Sequence, residues 1–468
     1  MEASLMTALA LRSLRVLMPE GEREATIVIE SGVITTIGRY DLQVQCPIED
    51  FGAQVIMPGL VDTHVHINEP GRTDWEGFET ATQAAAAGGI TTLVDMPLNC
   101  IPVTTSRAAL NEKLAALENK LWVDCGFWGG VIPDSIDDLD DLLNAGVLGV
   151  KSFLIDSGID EFPNVSVEDL RRAMPIVASH GLPYLIHAEL SSEELSSEEK
   201  GANNLRSSKL RTYQDFLMSR PDKWELDAIQ LIISEMAEHN CHMHIVHLSS
   251  AAALACLAHA RKEGLKITVE TCPHYLTLAS EDIDKNITLY KCCPPIRGAL
   301  NRDALWKGLK DGVIDFIVSD HSPCTANLKL GATEGSREDS LESIDTAWGG
   351  IAALQFGLPL VWTEARERGF DLKDLSHFMS GATAAFVGLD GKKGKIKEGY
   401  DADLIVFDDT HEYRISEESI RHKNKFTPYV GKKVCGSVMR TYLRGVCIFS
   451  GDEFIGRPQG KTILKNQH

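Results

Sequence analysis

Two histidines separated by one residue close an apolar run, Met57-Pro-Gly-Leu-Val-Asp-Thr-His-Val-His66. On a strand, side chains alternate between faces, so His64 and His66 emerge on one side together with Asp62. Paired imidazoles at the end of a buried strand suit a divalent cation. Other apolar runs carry similar groups. Lys151 lies in Gly-Val-Leu-Gly-Val-Lys-Ser-Phe, His187 ends Tyr-Leu-Ile-His, His247 ends His-Ile-Val-His, and Asp320 opens Asp-His-Ser-Pro. Each alone has a plainer reading, as a surface pair, a core histidine, a helix cap or a structural ion pair. Together, on strand ends of one sheet, they read as a metal centre. Lys151 is the odd member, because an ammonium beside divalent cations is repelled. Burial and neighbouring cations favour its neutral amine. A neutral amine can react with carbon dioxide to give a carbamate whose two oxygens can bridge two metals, so carboxylation is inferred from that chemistry.

The elements that must position these groups follow from the patterning. Residues 1–56 read as short strands, Ala8–Met18, Ala25–Glu30 and Val33–Ile37, broken by Pro19-Glu-Gly21 and Ser31-Gly32. From Gly59 strand, loop and helix repeat. Thr73-x-x-Glu76 reads as a capping box opening an alanine-rich helix that Gly88-Gly89 ends. After the His64–His66 strand, buried strands are expected at Ile90–Met96, Leu121–Trp128, Val147–Phe153, Pro183–His187, Cys241–His247, Lys266–Thr271 and Asp315–Ser319. Helices are expected at 106–119, 136–145, 166–180, 224–239, 250–262 and 301–311. Eight buried strands alternating with helices imply an α/β fold, a (β/α)8 TIM barrel over 57–393, whose active groups sit at the C-terminal strand ends. A doubly wound open sheet is the alternative, but its glycine-rich phosphate fingerprint is absent. Phe370–Val387 reads as helical. Strand patterns then return over 394–468, and these strands are expected to join residues 1–56 in a small discontinuous β-sandwich. In the sixth barrel strand, Met243, Ile245 and His247 share one parity. That apolar parity is expected to face the barrel interior, leaving His242 and His244 outside. The Ser/Glu-rich stretch Ser191–Arg206 reads as a solvated surface loop.

Composition bounds the function. The 468 residues carry a net charge of −21, which argues against nucleic acid or an anionic membrane as partner. No apolar run approaches the ~20 residues of a membrane span. The eleven cysteines are scattered without CxxC spacing, as expected of reduced thiols in the cytoplasm or another intracellular compartment. No targeting signal is evident at the start of the chain.

The set HxH, Lys, His, His, Asp resembles the binuclear cyclic amidohydrolases, which include dihydropyrimidinase, hydantoinase, dihydroorotase and allantoinase. The resemblance spans essentially the whole chain. It implies two divalent metals per subunit, zinc by expectation, with cobalt, manganese or iron as alternatives. His64, His66 and Asp320 would hold the first metal and His187 and His247 the second. Lys151, as N6-carboxylysine, would bridge them. Dihydroorotases typically carry an arginine two residues after HxH, where this chain has Asn68. Dihydropyrimidinases use a tyrosine shortly after the bridging lysine, and Lys151-Ser-Phe-Leu-Ile-Asp156 has none. The strings HVHINEPGRTDWEGFETATQAAAAGGITTLVDMPLN, KCCPPIR and AWGGIAALQ look like the allantoinase branch.

That branch implies opening of the hydantoin ring of allantoin to allantoate in purine catabolism. A hydroxide bridging the metals would attack, and Asp320 would carry the proton to the leaving ring nitrogen. Substrate contacts are expected from Asn68, Asn99, Ser322 and the backbone around Cys293 and Gly349. Cys293 stands where related sequences often have serine. The family resemblance also implies a homotetramer. Other cyclic amidase activity, or a non-enzymatic relative that has lost metal ligands, are the alternatives.

Overall fold

The computed structural model describes residues 8–191, 210–285, 287–330 and 344–465. The polar loop expected over Ser191–Arg206 lies outside the described residues from position 192 onward. Five strands lead the chain: β1 (Leu9–Met18), β2 (Gly21–Glu30), β3 (Val33–Gly38), β4 (Ile48–Asp50) and β5 (Val55–Pro58). The parallel strands follow: β6 (Leu60–Val65), β7 (Ile90–Asp95), β8 (Asp124–Phe127), the two-residue β9 (Gly129–Gly130), β10 (Val150–Phe153), β11 (Pro183–His187), β12 (His242–Ile245), β13 (Ile267–Thr271) and β14 (Phe316–Ile317). The chain ends with β15 (Leu404–Arg414), β16 (Lys433–Leu443), β17 (Val446–Ser450), β18 (Glu453–Phe454) and β19 (Thr462–Ile463).

Parallel pairing runs β6–β7–β8 and β9–β10–β11–β12–β13–β14. Backbone bonds join the two runs into a ring. Leu148 N–H donates to Phe127 O at 2.9 Å, and His66 N–H donates to His321 O at 2.8 Å beside a parallel bridge between Val65 and His321. This is the (β/α)8 barrel. Helices Phe78–Ala87, Val167–Ser179, Asp222–Met236, Leu254–Lys262 and Ala299–Lys310 alternate with its strands. The main apolar core lies between strands and helices, where Met243 and Ile245 of β12 share one cluster with Ala228, Ile229 and Ile232.

Strands from both ends of the chain meet in one nine-stranded sheet. Antiparallel pairing of β15 with β5 places Leu404 opposite Pro58 and Phe407 opposite Val55. β1 pairs with β4 near its start and β5 near its end, with a register break between Ser13 and Val16. The break separates the stretch of β1 that pairs with β4 from the stretch that pairs with β5, both in parallel. Leu11, Ile27, Ile56, Leu404 and Tyr442 fill a separate small core there. β19, not anticipated from sequence, returns to pair in parallel with β8.

Two local expectations are corrected. The alanine-rich helix starts at Phe78 with Gly77 as its N-cap, without a side-chain cap. Glu76 is fully buried instead, and it accepts the Lys423 backbone N–H at 3.1 Å, so tertiary contacts outcompete a capping box. His244 is not outside the barrel. It is fully buried, stacks on Phe316 with ring centroids 5.2 Å apart, and places Nε2 3.1 Å from Glu270. Both faces of a barrel strand are buried, so apolar parity marks the helix layer as readily as the interior. The chain also leaves strand geometry after Ile245, so His247 no longer follows that parity.

Candidate metal centre

The strand ends carry the side chains predicted to do chemistry. His64 lies within β6, and His66 sits just beyond it. Lys151 is in β10, His187 ends β11, His247 follows β12 by two residues, and Asp320 follows β14 by three. One cavity of about 460 Å³ is lined by His64, His66, Lys151, His187, His247 and Asp320, and by Asn99, Cys293, Ser322 and Gly349. Asn68 does not line it. That side chain is fully buried and donates from Nδ2 to Pro323 O at 3.2 Å, so it holds a neighbouring loop. A larger crevice, about 960 Å³, opens at the starts of the strands near Pro183, His242 and Phe316. In this fold that end serves stability, and chemistry belongs to the other.

The site is electrostatically prepared for cations. His64 Nε2 lies 3.2 Å from Asp320 Oδ1, and His66 Nε2 lies 3.6 Å from the same oxygen. His64, His247 and Asp320 offer ligand atoms that all lie within 4.8 Å of one another. His64 Nε2 and His247 Nδ1 are buried without a hydrogen-bond partner among the described residues. Buried polar nitrogens are normally satisfied, so unpaired ones in one cluster suit a bound cation. Burial pushes His187 down to about 4 and His66 and His247 well below the usual range, leaving neutral imidazoles. Burial raises the Asp320 carboxyl. It lowers Lys151 to about 8, against the pull of Glu270 and Asp320. The Lys151 Nζ sits 4.8 Å from the Phe153 ring centre. Asn99, His247 and Asp320 have positive φ of 73°, 38° and 43°, unusual for residues other than glycine and concentrated at this cavity.

The groups behind these side chains were not picked out from sequence. Glu270, fully buried in β13, hydrogen-bonds His64 Nδ1 and accepts the His247 backbone N–H at 3.2 Å. Glu189 accepts from His187 Nε2 at 2.8 Å and from Arg220 Nη1 at 2.5 Å. Carboxylates of this kind fix the tautomer and orientation of a liganding imidazole. Both occur in the sequence as single acids with no spacing signal, so only the tertiary structure reveals their partners.

The Amidohydrolase family model matches residues 55–447. The chain belongs to the amidohydrolase family. Over 459 residues it is 46% identical to the allantoinase of Streptomyces avermitilis, covering 98% of each chain. Over 448 residues it is 44% identical to the allantoinase of Saccharomyces cerevisiae, covering 95% of this chain and 92% of that one. The solved L-hydantoinase (dihydropyrimidinase) of Arthrobacter aurescens matches with a TM-score of 0.90 at 27% identity, covering 98% of this chain and 100% of that one. As an amidohydrolase, the chain presents a buried His/Asp cluster suited to divalent metal at the strand ends where this barrel places chemistry. Among the described residues, no helix is long and apolar enough to cross a membrane.

Proposed function

We propose that this amidohydrolase opens the hydantoin ring of allantoin by metal-assisted hydrolysis, giving allantoate in purine catabolism. The observation that carries the reading is the near end-to-end identity to allantoinases, 46% over 98% of both chains in one case. The cavity's buried, unpaired imidazole nitrogens support its metal dependence. His64, His66 and Asp320 would hold one divalent ion, His187 and His247 a second, and Lys151 would join the two as a carbamate. Zinc is the ion this mixed imidazole and carboxylate set suits best, with cobalt, manganese and iron the alternatives. When bound, the metals polarise the attacked carbonyl and lower the pKa of water.

The chain's own residues supply the rest. Asp320 faces the cavity beside both histidines of the HxH pair, where it can take a proton from the attacking water and return it to the leaving ring nitrogen. Lys151, lowered to about 8 by burial, has a usable neutral-amine fraction for carbamate formation, which releases one proton. Asn99 reaches His66 Nδ1 at 3.3 Å and orients it beside the substrate. Ser322, Cys293 and Gly349 line the cavity, and Cys293 and Gly349 would contact the substrate through backbone.

The same reading divides the chain into a barrel over 57–393 and a β-domain from 1–56 and 394–468. It places the enzyme in the cytoplasm or another intracellular compartment, as a homotetramer acting on a small molecule. The test is metal-reconstituted protein assayed against allantoin, simple hydantoins and dihydrouracil. Turnover of allantoin well above the others supports the proposal, and preference for either of the others rejects it.

A further inference from the structure

Lys329 has a full set of partners that the reaction does not explain. It belongs to the short helix Ala326–Leu330, and its side chain is buried. Its ammonium donates to three backbone carbonyls: Lys291 O at 2.8 Å, Trp348 O at 2.8 Å and Gly350 O at 2.5 Å. Three N–H groups meet three acceptors, so the site is saturated. Those carbonyls come from two separate segments. One holds Lys291 and Cys293, the other Trp348, Gly349 and Gly350, and each contributes to the cavity wall. The segments touch where Gly349 meets Cys293, since a Cβ on Gly349 would stand 3.2 Å from Cys293 Sγ.

Peptide planarity turns this anchor into an orientation. The Trp348–Gly349 bond is trans, so Gly349 N–H points opposite to the Trp348 carbonyl that Lys329 holds. Gly350 N–H donates to Lys291 O at 3.0 Å, on the Lys329 side. The Gly349 carbonyl, in the same peptide plane, therefore points the other way too. Neither Gly349 N–H nor Gly349 C=O has a hydrogen-bond partner among the described residues. Gly349 lines the cavity, and Lys329 does not.

We propose that Lys329 is a positioning residue for the hydrolysis, turning the Gly349 N–H and C=O together into the cavity to meet the cis-amide edge of the cyclic substrate. A ring amide presents one N–H and one C=O side by side, the complement of that pair. The proposal rests on Gly349 as a substrate contact. Without the ammonium, the Trp348 and Gly350 carbonyls lose this donor, Lys291 O keeps only the Gly350 N–H, and the Gly349 peptides lose their fixed direction.

The test compares Lys329→Met, Gly349→Pro and the double variant in the metal-loaded enzyme. Lys329→Met should raise KM about tenfold while kcat and metal content change little, the pattern of lost substrate binding. Gly349→Pro removes the N–H directly and should raise KM at least as much. In the double variant Lys329→Met should add less than it does alone, because the N–H, one of the two groups it orients, is already gone. Should Lys329→Met not fold, Lys329→Gln, which keeps an amide donor, carries the same comparison with a smaller effect. A KM within twofold of wild type in the folded single variant, or full additivity in the double, overturns the proposal. If wild type itself does not hydrolyse allantoin, the functional reading fails. If it does and the variants keep its KM, only the role of Lys329 fails.

Discussion

Glu270 on β13 reaches across the barrel to hydrogen-bond Nδ1 of His64 on β6, and the same oxygen accepts the His247 backbone N–H. The far oxygen lies 3.1 Å from His244 Nε2. One buried carboxylate thus supports two proposed ligands of different metals. Burial works against its charge, but His64 and His244 outweigh that and hold the carboxyl far below the usual range.

Glu270→Gln keeps the shape and removes the charge. Loss of such a supporting carboxylate costs about 10- to 100-fold in metal affinity or activity. We expect reduced metal occupancy after dialysis against a weak chelator, measured by elemental analysis, with activity falling in parallel. Full occupancy and full rate would show that Glu270 only fills space.

Lys151→Ala should lose at least one metal and most activity, because Asp320, the carboxylate beside the histidines, is already assigned to the first metal and to proton transfer and leaves no second anion to bridge. Short carboxylic acids added to the variant should restore part of the rate by standing in for the carbamate. Unchanged metal content and turnover in Lys151→Ala reject the bridging role.

Asp320→Asn should lower turnover more than metal content. An amide oxygen can still face a cation, yet it cannot accept a proton at neutral pH. A general acid/base contributes about 100- to 10,000-fold. Near-normal kcat with both metals bound removes Asp320 from proton transfer.

The HxH pair, Lys151, His187, His247 and Asp320 were legible because each ends or lies in an apolar run, and a barrel gathers strand ends at one mouth. The supporting shell was not. Glu270 sits in Ile-Thr-Val-Glu-Thr and Glu189 in His-Ala-Glu-Leu, strings that name no partner. His244 was misplaced because both strand faces are buried, so hydrophobic alternation cannot say which is inward. Asn68 was misplaced for a related reason. Its position after HxH fixes it near the metals, but only the fold shows its amide turned to Pro323.

Lys393 tests the join between the chain ends and the barrel. Its buried ammonium lies 2.9 Å from Asp124 of β8 and 2.5 Å from Asp403, next to β15, while Arg444 binds Asp124 at 2.6 Å. Removing one partner of a buried ion cluster typically costs about 3–5 kcal/mol, since the remaining charges lose their compensation. Lys393→Met should therefore lower Tm by several degrees with KM unchanged, as no member of the cluster lines the cavity. A Tm within a degree of wild type would show that Arg444 alone neutralises the cluster.

Selectivity against a charged ring is the final expectation. The arginine that lines the cavity is already paired, Arg220 with Glu189 at 2.5 Å, Lys291 Nζ is tied to the Asp345 carbonyl at 2.8 Å, and Lys151 is assigned to the carbamate. A buried carboxylate without a free cation costs several kcal/mol, so dihydroorotate should be hydrolysed at least about 1,000-fold less efficiently than neutral allantoin. Asn68 donates to Pro323 O and does not line the cavity, so it is expected to act through that loop and not by contact with the ring. Asn68→Leu, similar in size, should then keep kcat/KM for allantoin within about tenfold, the loss of one buried hydrogen bond. Asn68→Arg should instead lower both Tm and turnover, because a guanidinium forced into that fully buried position must be desolvated and must displace the Ser322–Pro323 segment. Measuring kcat/KM for both substrates alongside Tm separates the cases. A drop beyond about 100-fold in Asn68→Leu at unchanged Tm would return Asn68 to the substrate, and appreciable wild-type turnover of dihydroorotate would mean that one of the engaged cations is released on binding.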